Sequence, residues 1–365
     1  MPPPRRILMT SDTVGGVWTY ALDLARALTL RGVTVGLATM GPPLSREQRD
    51  DARGIPLVEL FESAFKLEWM PDAWDDVRRA GEWLLALEAR LQPDLVHLNG
   101  YAHAALPWRA PVLAVGHSCV LSWWRAVKGC EAPASWDCYR EAVWRGLAAS
   151  KLVVAPSRAM LDALVENYPG AIREARVIPN GRDAALFQPR AKSPYVLAAG
   201  RLWDEGKNIA ALERAAARLP WPVYLAGERR SDARPARGVR FLGPLRPLEL
   251  AHYYSRAAIY ALPARYEPFG LSVLEAAMSG CALVLGDIPS LRENWRNAAV
   301  FVSPDDSRAL TQALVRLISN TGLRRRLGAR ARMRARRFTH HRMAEAYLSA
   351  YREICAGSET ATCAS

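Results

Sequence analysis

Apolar and polar positions along this chain fall into two alternating rhythms: short runs rich in β-branched and apolar residues, separated by stretches of helical periodicity. The first series of runs includes Arg6 to Thr10, Val33 to Thr39, Leu95 to Leu98, Val112 to Val115, Leu152 to Ala155 and Arg176 to Pro179. A second begins at Tyr195 to Ala199 and continues with Val223 to Ala226, Val239 to Leu242, Ile259 to Leu262, Ala282 to Leu285 and Val300 to Val302. Strands alternating with helices predict βαβ units and parallel sheets. The expected fold class is α/β: two doubly wound, Rossmann-like domains whose strand-end loops face a cleft, where ligands of such sheets bind.

Between the two series, Asn180-Gly181-Arg182-Asp183 and the stretch from Pro189 to Pro194 contain turn formers and few core residues. The interdomain link is expected there, with an N-terminal domain over residues 1–183 and a second domain from 184. A length of 365 residues, half of them hydrophobic, allows each domain its own core. No run approaches the roughly 20 apolar residues that span a bilayer, and the apolar stretch after Arg6 is too brief for a signal peptide. A cytoplasmic protein is expected. Cysteines at 119, 130, 138, 281, 355 and 363 form no Cys-x-x-Cys pair, so neither a zinc site nor a disulfide framework is indicated, and most are expected to be packing thiols.

The formal charge of +13 implies anionic partners: nucleotide phosphates, nucleic acid or the anionic face of a membrane. Its densest segment holds Arg324, Arg325, Arg326, Arg330, Arg332, Arg334, Arg336 and Arg337 among alanines. No aromatic ladder accompanies it, which argues against nucleic acid. A solvated helix face is the simplest reading, and peripheral contact with the inner face of an anionic membrane the next.

Chemistry concentrates in Glu267-Pro268-Phe269-Gly270-Leu271-Ser272-Val273-Leu274-Glu275. Pro268 biases Glu267 towards an extended backbone, Gly270 permits close approach of a ligand, and Ser272 is expected to cap a helix ending at Gly280. Amides at the start of that helix attract phosphate. Glu275 could accept both hydroxyls of a ribose and Glu267 could face a sugar; alternatively Ser272 and Glu275 form only a capping box.

Two further segments bear on the choice. Gly15-Gly16 after the first run is either a phosphate-facing turn or a plain β-to-α turn. It is not a Gly-x-Gly-x-x-Gly, and the second run, ending Leu37-Ala38-Thr39-Met40-Gly41, lacks the acid that holds an adenosine ribose, so a dehydrogenase is disfavoured. After Gly200, Arg201 offers a planar fork of donors and Lys207 a mobile point charge, a pair suited to a diphosphate.

Assembled, Gly15-Gly16, Gly200-Arg201 with Lys207-Asn208, and Glu267-Pro268-Phe269-Gly270-Leu271-Ser272 with Glu275 make the chain resemble the retaining GT-B glycosyltransferases of family 4 over nearly its whole length. The resemblance implies that Arg201 and Lys207 bind the donor diphosphate and Glu275 the ribose. It implies that Glu267 contacts the donor sugar, that Phe269, Gly270, Leu271 and Ser272 form the adjoining wall and amides, and that Gly16 approaches the phosphate or sugar from the opposite domain. His117, in Val115-Gly116-His117-Ser118, matches the family's histidine near the reacting carbon. Residues 341–365, with the helix Arg342 to Ile354, resemble the element that crosses back over the N-terminal domain after a second domain ending at 340.

Departure of a diphosphate leaves negative charge that two fixed cations can stabilise, so no metal and no cofactor beyond the donor substrate is expected. The expected activity is retaining transfer of a sugar from a nucleotide-sugar donor, uridine-linked in preference to adenosine- or guanosine-linked, to a hydroxyl of a carbohydrate, lipid-linked or small-molecule acceptor. Alternatives are a peripheral membrane transferase acting on a lipid-linked acceptor and a catalytically silent carbohydrate- or nucleotide-binding protein. Among the tryptophans, Trp123 and Trp124, just after His117, are the acceptor-binding candidates.

Overall fold

A computed structural model describes residues 4–229 and 236–362. Thirteen strands form two parallel sheets among these residues. The first contains β1 (Arg6–Asp12), β2 (Thr34–Met40), β3 (Val58–Glu62), β4 (Leu95–Leu98), β5 (Val112–Val115), β6 (Leu152–Ala155) and β7 (Ala175–Val177), in the order β3-β2-β1-β4-β5-β6-β7. The second contains β8 (Ser193–Ala199), β9 (Val223–Ala226), β10 (Val239–Gly243), β11 (Ala257–Leu262), β12 (Ala282–Gly286) and β13 (Ala299–Val302), in the order β10-β9-β8-β11-β12-β13. Each order reverses direction once, between β1 and β4 and between β8 and β11. Crevices beyond the carboxyl ends of those pairs are where doubly wound sheets bind ligands.

The chain divides into two units: Met1–Arg125 with Cys130–Gly181 and His340–Ser365, and Ala126–Gly129 with Arg182–Thr339. In the first unit the strands β4, β5 and β6 are buried at every position, as expected of strands covered on both faces. The edge strand β3 is different: Val-Glu-Leu-Phe-Glu exposes both glutamates, and its short, charge-interrupted pattern is not an apolar run. The helix His340–Thr362 packs within this unit, where Tyr351 Oη lies 2.7 Å from His97 Nδ1 and the Tyr347 ring 6.2 Å from that of Tyr20.

In the second unit, the helix following β11 runs Leu271–Met278 and starts at Gly270, whose φ of 90° is a left-handed conformation that favours glycine. Ser272 is thus inside the first turn and is not the cap. Its hydroxyl instead accepts a 2.7 Å bond from Tyr260 on β11. The capping-box alternative fails with it. Gly280, at φ 76°, closes the helix as expected.

The segment Asn180-Gly181-Arg182 is also unlike a surface link, since Asn180 and Arg182 are 5% and 6% exposed. Arg182 donates its backbone N–H to the carbonyl of Phe338, which buries it against the end of the second unit's chain. Of the five cysteines described, Cys119 and Cys281 are buried, whereas Cys130 and Cys138 are exposed.

Candidate active site

Each unit presents a cluster at its own switch point. In the second, the loop after β8 and the loop after β11 are stitched together. Asp204 accepts from the Gly206 amide at 2.9 Å, the Arg265 amide donates to the Gly206 carbonyl at 2.8 Å, and Asn208 donates to the carbonyls of Pro263 and Pro304. This stitching carries Lys207 to Glu267: Nζ and Oε2 are 2.6 Å apart, with both side chains mostly buried. The carbonyl of Glu267 is held in turn by Ser290 Oγ at 2.5 Å. Buried charge pairs of this kind persist only when their hydrogen bonds are well made.

Arg201 pairs with Asp204 at 3.0 Å and keeps part of its side chain exposed. A side chain built on Gly200 would meet nothing within 4 Å, so the approach to this loop is open. Beyond Gly270 the free amides of the helix Leu271–Met278 begin, with Leu271 and Ser272 half-buried. Phe269 is a core residue at 3% exposure, its ring 5.6 Å from Phe338, so it offers the site backbone and not an aromatic wall.

Glu275 is 7% exposed, and its Oε1 lies 2.8 Å from Nε of Arg182. Tyr254 adjoins the pair; burial first, and then the charge of Glu275, raise its phenol well above the usual range. Arg182 and Tyr254 were not marked by the sequence, because Asn-Gly-Arg-Asp reads as a turn and Tyr254 as one more helical apolar.

In the first unit, Gly15 (φ 72°) precedes the helix Gly16–Thr29. His117 follows β5, and Asn99 follows β4. Asn99 Nδ2 donates to the Thr10 carbonyl at 2.7 Å, which turns Oδ1 towards His117 Nε2 at 2.8 Å. An amide oxygen only accepts, so Nε2 of His117 carries the proton and Nδ1 keeps its lone pair. Burial, reinforced by the nearby His97, lowers the His117 pKa to about 3, and burial lowers His97 to about 3. Both are neutral near physiological pH.

These groups border a pocket of about 70 Å³ whose walls include Asp12, Glu68, Trp69, Asn99, His117 and Tyr139. Glu68 accepts from the amides of Tyr101 and Ala102, and burial raises its pKa against those bonds. Trp69, and neither Trp123 nor Trp124, lines this pocket; Trp124 packs on the buried cluster around Tyr139 and Leu161. Asn99 was not singled out from the sequence, although a polar residue just after the strand at the switch point is a signal that could have found it, whereas Glu68 carries no local signal.

Residues 14–186 match the model of Glycosyltransferase Family 4 and residues 193–320 that of Glycosyl transferases group 1. The chain belongs to glycosyltransferase family 4. This glycosyltransferase is 28% identical to a glycogen synthase of Mycobacterium tuberculosis (strain CDC 1551 / Oshkosh) over 374 residues, covering 90% of each chain. It is 27% identical to a D-inositol 3-phosphate glycosyltransferase of Xylanimonas cellulosilytica, over 92% of its own length and 91% of the relative's. Its fold is GT-B. Sucrose-phosphate synthase from Thermosynechococcus elongatus superposes with a TM-score of 0.81 at 22% identity, covering 97% of this chain and 100% of that one. Anabaena HepE, solved with UDP and glucose, gives 0.73 at 18%, covering 96% and 100%.

Proposed function

We propose that this family 4 transferase takes a sugar from a nucleotide-linked donor, uridine-linked by preference, and passes it to an acceptor hydroxyl with retention of configuration and without a metal ion. The observation that carries the reading is the Lys207–Glu267 pair, held at 2.6 Å beside the amide end of the helix Leu271–Met278. Together with Arg201 it would offer cations and backbone donors to the charge that develops on a diphosphate leaving group. Glu267 would hold the transferred sugar through its second oxygen, and Glu275 the ribose. HepE's complex with UDP and glucose supports the choice of donor.

The neutral His117 would contribute an acceptor nitrogen that orients the sugar or its nucleophile; a group titrating near 3 is not poised as an acid at neutral pH. A panel of nucleotide sugars, assayed for released nucleoside diphosphate with and without chelator, tests the donor and the metal independence. Proton NMR of the new glycosidic bond reports the anomer. Release only after metal is added back, or an inverted product, would refute the corresponding part. No release from any donor would favour the catalytically silent alternative.

A further inference from the structure

The polar groups behind His117 form one unbroken chain that starts on the last helix of the first unit. Asn99 Oδ1 is shared by two ring nitrogens, His117 Nε2 at 2.8 Å and His97 Nε2 at 3.2 Å, while Asn99 Nδ2 is committed to the Thr10 carbonyl. An amide oxygen only accepts, so both ring nitrogens carry protons. Burial keeps His97 neutral with a single ring proton, which leaves Nδ1 as its acceptor. Tyr351 Oη lies 2.7 Å from that Nδ1, with both residues wholly buried, and must therefore donate. The direction of every hydrogen bond is thus set from Tyr351 on the helix His340–Thr362, through His97 on β4 and Asn99 just beyond it, to His117.

Reversing this chain is costly at two places. The Nδ1–H tautomer of His97 would aim an Nε2 lone pair at Asn99 Oδ1, and a flipped Asn99 would set its oxygen against the Thr10 carbonyl. Thr10 guards against the second reversal and Tyr351 against the first. Tyr20 Oη, 3.3 Å from His97 Nε2, offers the wrong tautomer a donor, so the Tyr351 hydroxyl decides between two bonded states. We propose that Tyr351 and His97 are positioning residues for sugar transfer: the Tyr351 hydroxyl selects the tautomer of His97 and, through Asn99, holds His117 with its proton on Nε2 and with Nδ1 as an acceptor. This rests on the reading that His117 serves transfer. The last helix then belongs to the transfer machinery and is more than a cover for the first sheet.

Long-range proton–nitrogen NMR of the full-length protein reads both ring tautomers without turnover. The wild type should show only the Nε2–H form at His97 and at His117. Tyr351→Phe should give a mixture at His97 and broaden the His117 Nε2–H resonance. It should also lower kcat for transfer about tenfold, the net worth of one buried hydrogen bond, with nucleoside diphosphate affinity unchanged. Tyr351→Phe combined with His97→Phe removes both polar partners, so the stability lost in the single variant should return while kcat stays low. In a His117→Ala background, Tyr351→Phe should cost transfer little more, because its effect runs through His117. An Nδ1–H form at His97 in the wild type, ring signals of both histidines unmoved by Tyr351→Phe, a kcat that recovers along with stability, or an equal loss with and without His117 would overturn the proposal. Normal transfer by His117→Ala alone would refute the reading beneath it, a result separate from the tautomers, which are decided by the spectra.

Discussion

The two switch points of this transferase solve the same problem, holding polar groups in a half-buried crevice, by opposite means. The second unit uses charge pairs: Lys207 with Glu267, Arg201 with Asp204, Arg182 with Glu275. The first relies on hydrogen bonds between uncharged groups, Asn99 with Thr10, His117 with Asn99 and His97 with Tyr351, beside the acids Asp12 and Glu68. A paired site can receive a charged ligand by sharing its counter-ions, while a neutral network orients a group without competing for charge. The division fits the proposed reaction, in which negative charge develops on the leaving diphosphate while the transferred sugar takes on positive, oxocarbenium-like character.

Breaking the charged side should have the largest effect. Lys207→Ala is expected to lower turnover by about a thousandfold, since a donor aimed at developing charge is worth up to that much, while weakening diphosphate-free nucleoside binding little. Equal losses in initial rate and in nucleoside affinity would contradict that role.

Glu275→Ala should damage both function and fold. Removing the carboxylate would take from the proposed ribose site bonds worth about 1.5–3 kcal/mol each and also deletes a charged partner of the buried Arg182, a loss of up to about 3–5 kcal/mol in stability. From sequence alone the fold of this variant would be expected to survive; the buried Arg182 changes that. Chemical denaturation should show the stability loss, and Arg182→Met with Glu275→Ala should recover part of it. A Glu275→Ala protein of unchanged stability and unchanged nucleoside diphosphate affinity would remove both roles.

The neutral side is sharpened by acid. His97 and His117 titrate at about 3 in the folded chain, against about 6.5 when unfolded. Their folded pKa values are depressed, so the unfolded chain binds protons first. Stability is unaffected above about pH 6.5 and falls as pH drops towards 3, by about 1.4 kcal/mol per unit for each histidine. Melting curves between these limits should show the decline. A His97→Gln variant, whatever its own loss at neutral pH, should decline less steeply, and an identical slope would assign the acid sensitivity elsewhere.

The smallest effect concerns the arginine helix Thr321–Ala335 and its continuation. Arg325, Arg326, Arg330, Arg336 and Arg337 are exposed, whereas Arg324 donates to the carbonyls of Leu317 and Ile318 and Arg334 to those of Asn294 and Glu293. No helix among the described residues is long and apolar enough to cross a membrane. Sedimentation with anionic vesicles should show weak binding that disappears with salt; none at low salt would leave a solvated face.

The strands of the second sheet were legible because, Arg240 of β10 apart, they are apolar runs of a parallel sheet, and the same logic missed β3, whose two glutamates interrupt it at an exposed edge. Single side chains were legible where backbone chemistry marks them: Gly270 takes the left-handed turn, and Lys207 and Glu267 sit on strand-end loops. Ser272 misled, because a serine before an apolar helix signals a cap, yet the glycine two residues earlier already begins the helix and frees the hydroxyl for Tyr260. Arg182, Glu68 and Trp69 depend on partners far along the chain, and no local pattern announces a long-range ion pair or a pocket wall.

The division of labour between the two clusters is tested most directly by one paired measurement on His117→Ala: calorimetric titration with nucleoside diphosphate, and initial transfer rates from the intact donor. The expected result is near-normal nucleoside diphosphate affinity with transfer lowered about a hundredfold, within the range that positioned groups contribute, and no limb in the wild-type pH–rate profile between about pH 5 and 8 that His117→Ala removes. A folded His117→Ala protein that transfers sugar at nearly the normal rate, or one that loses nucleoside diphosphate binding along with turnover, would contradict it.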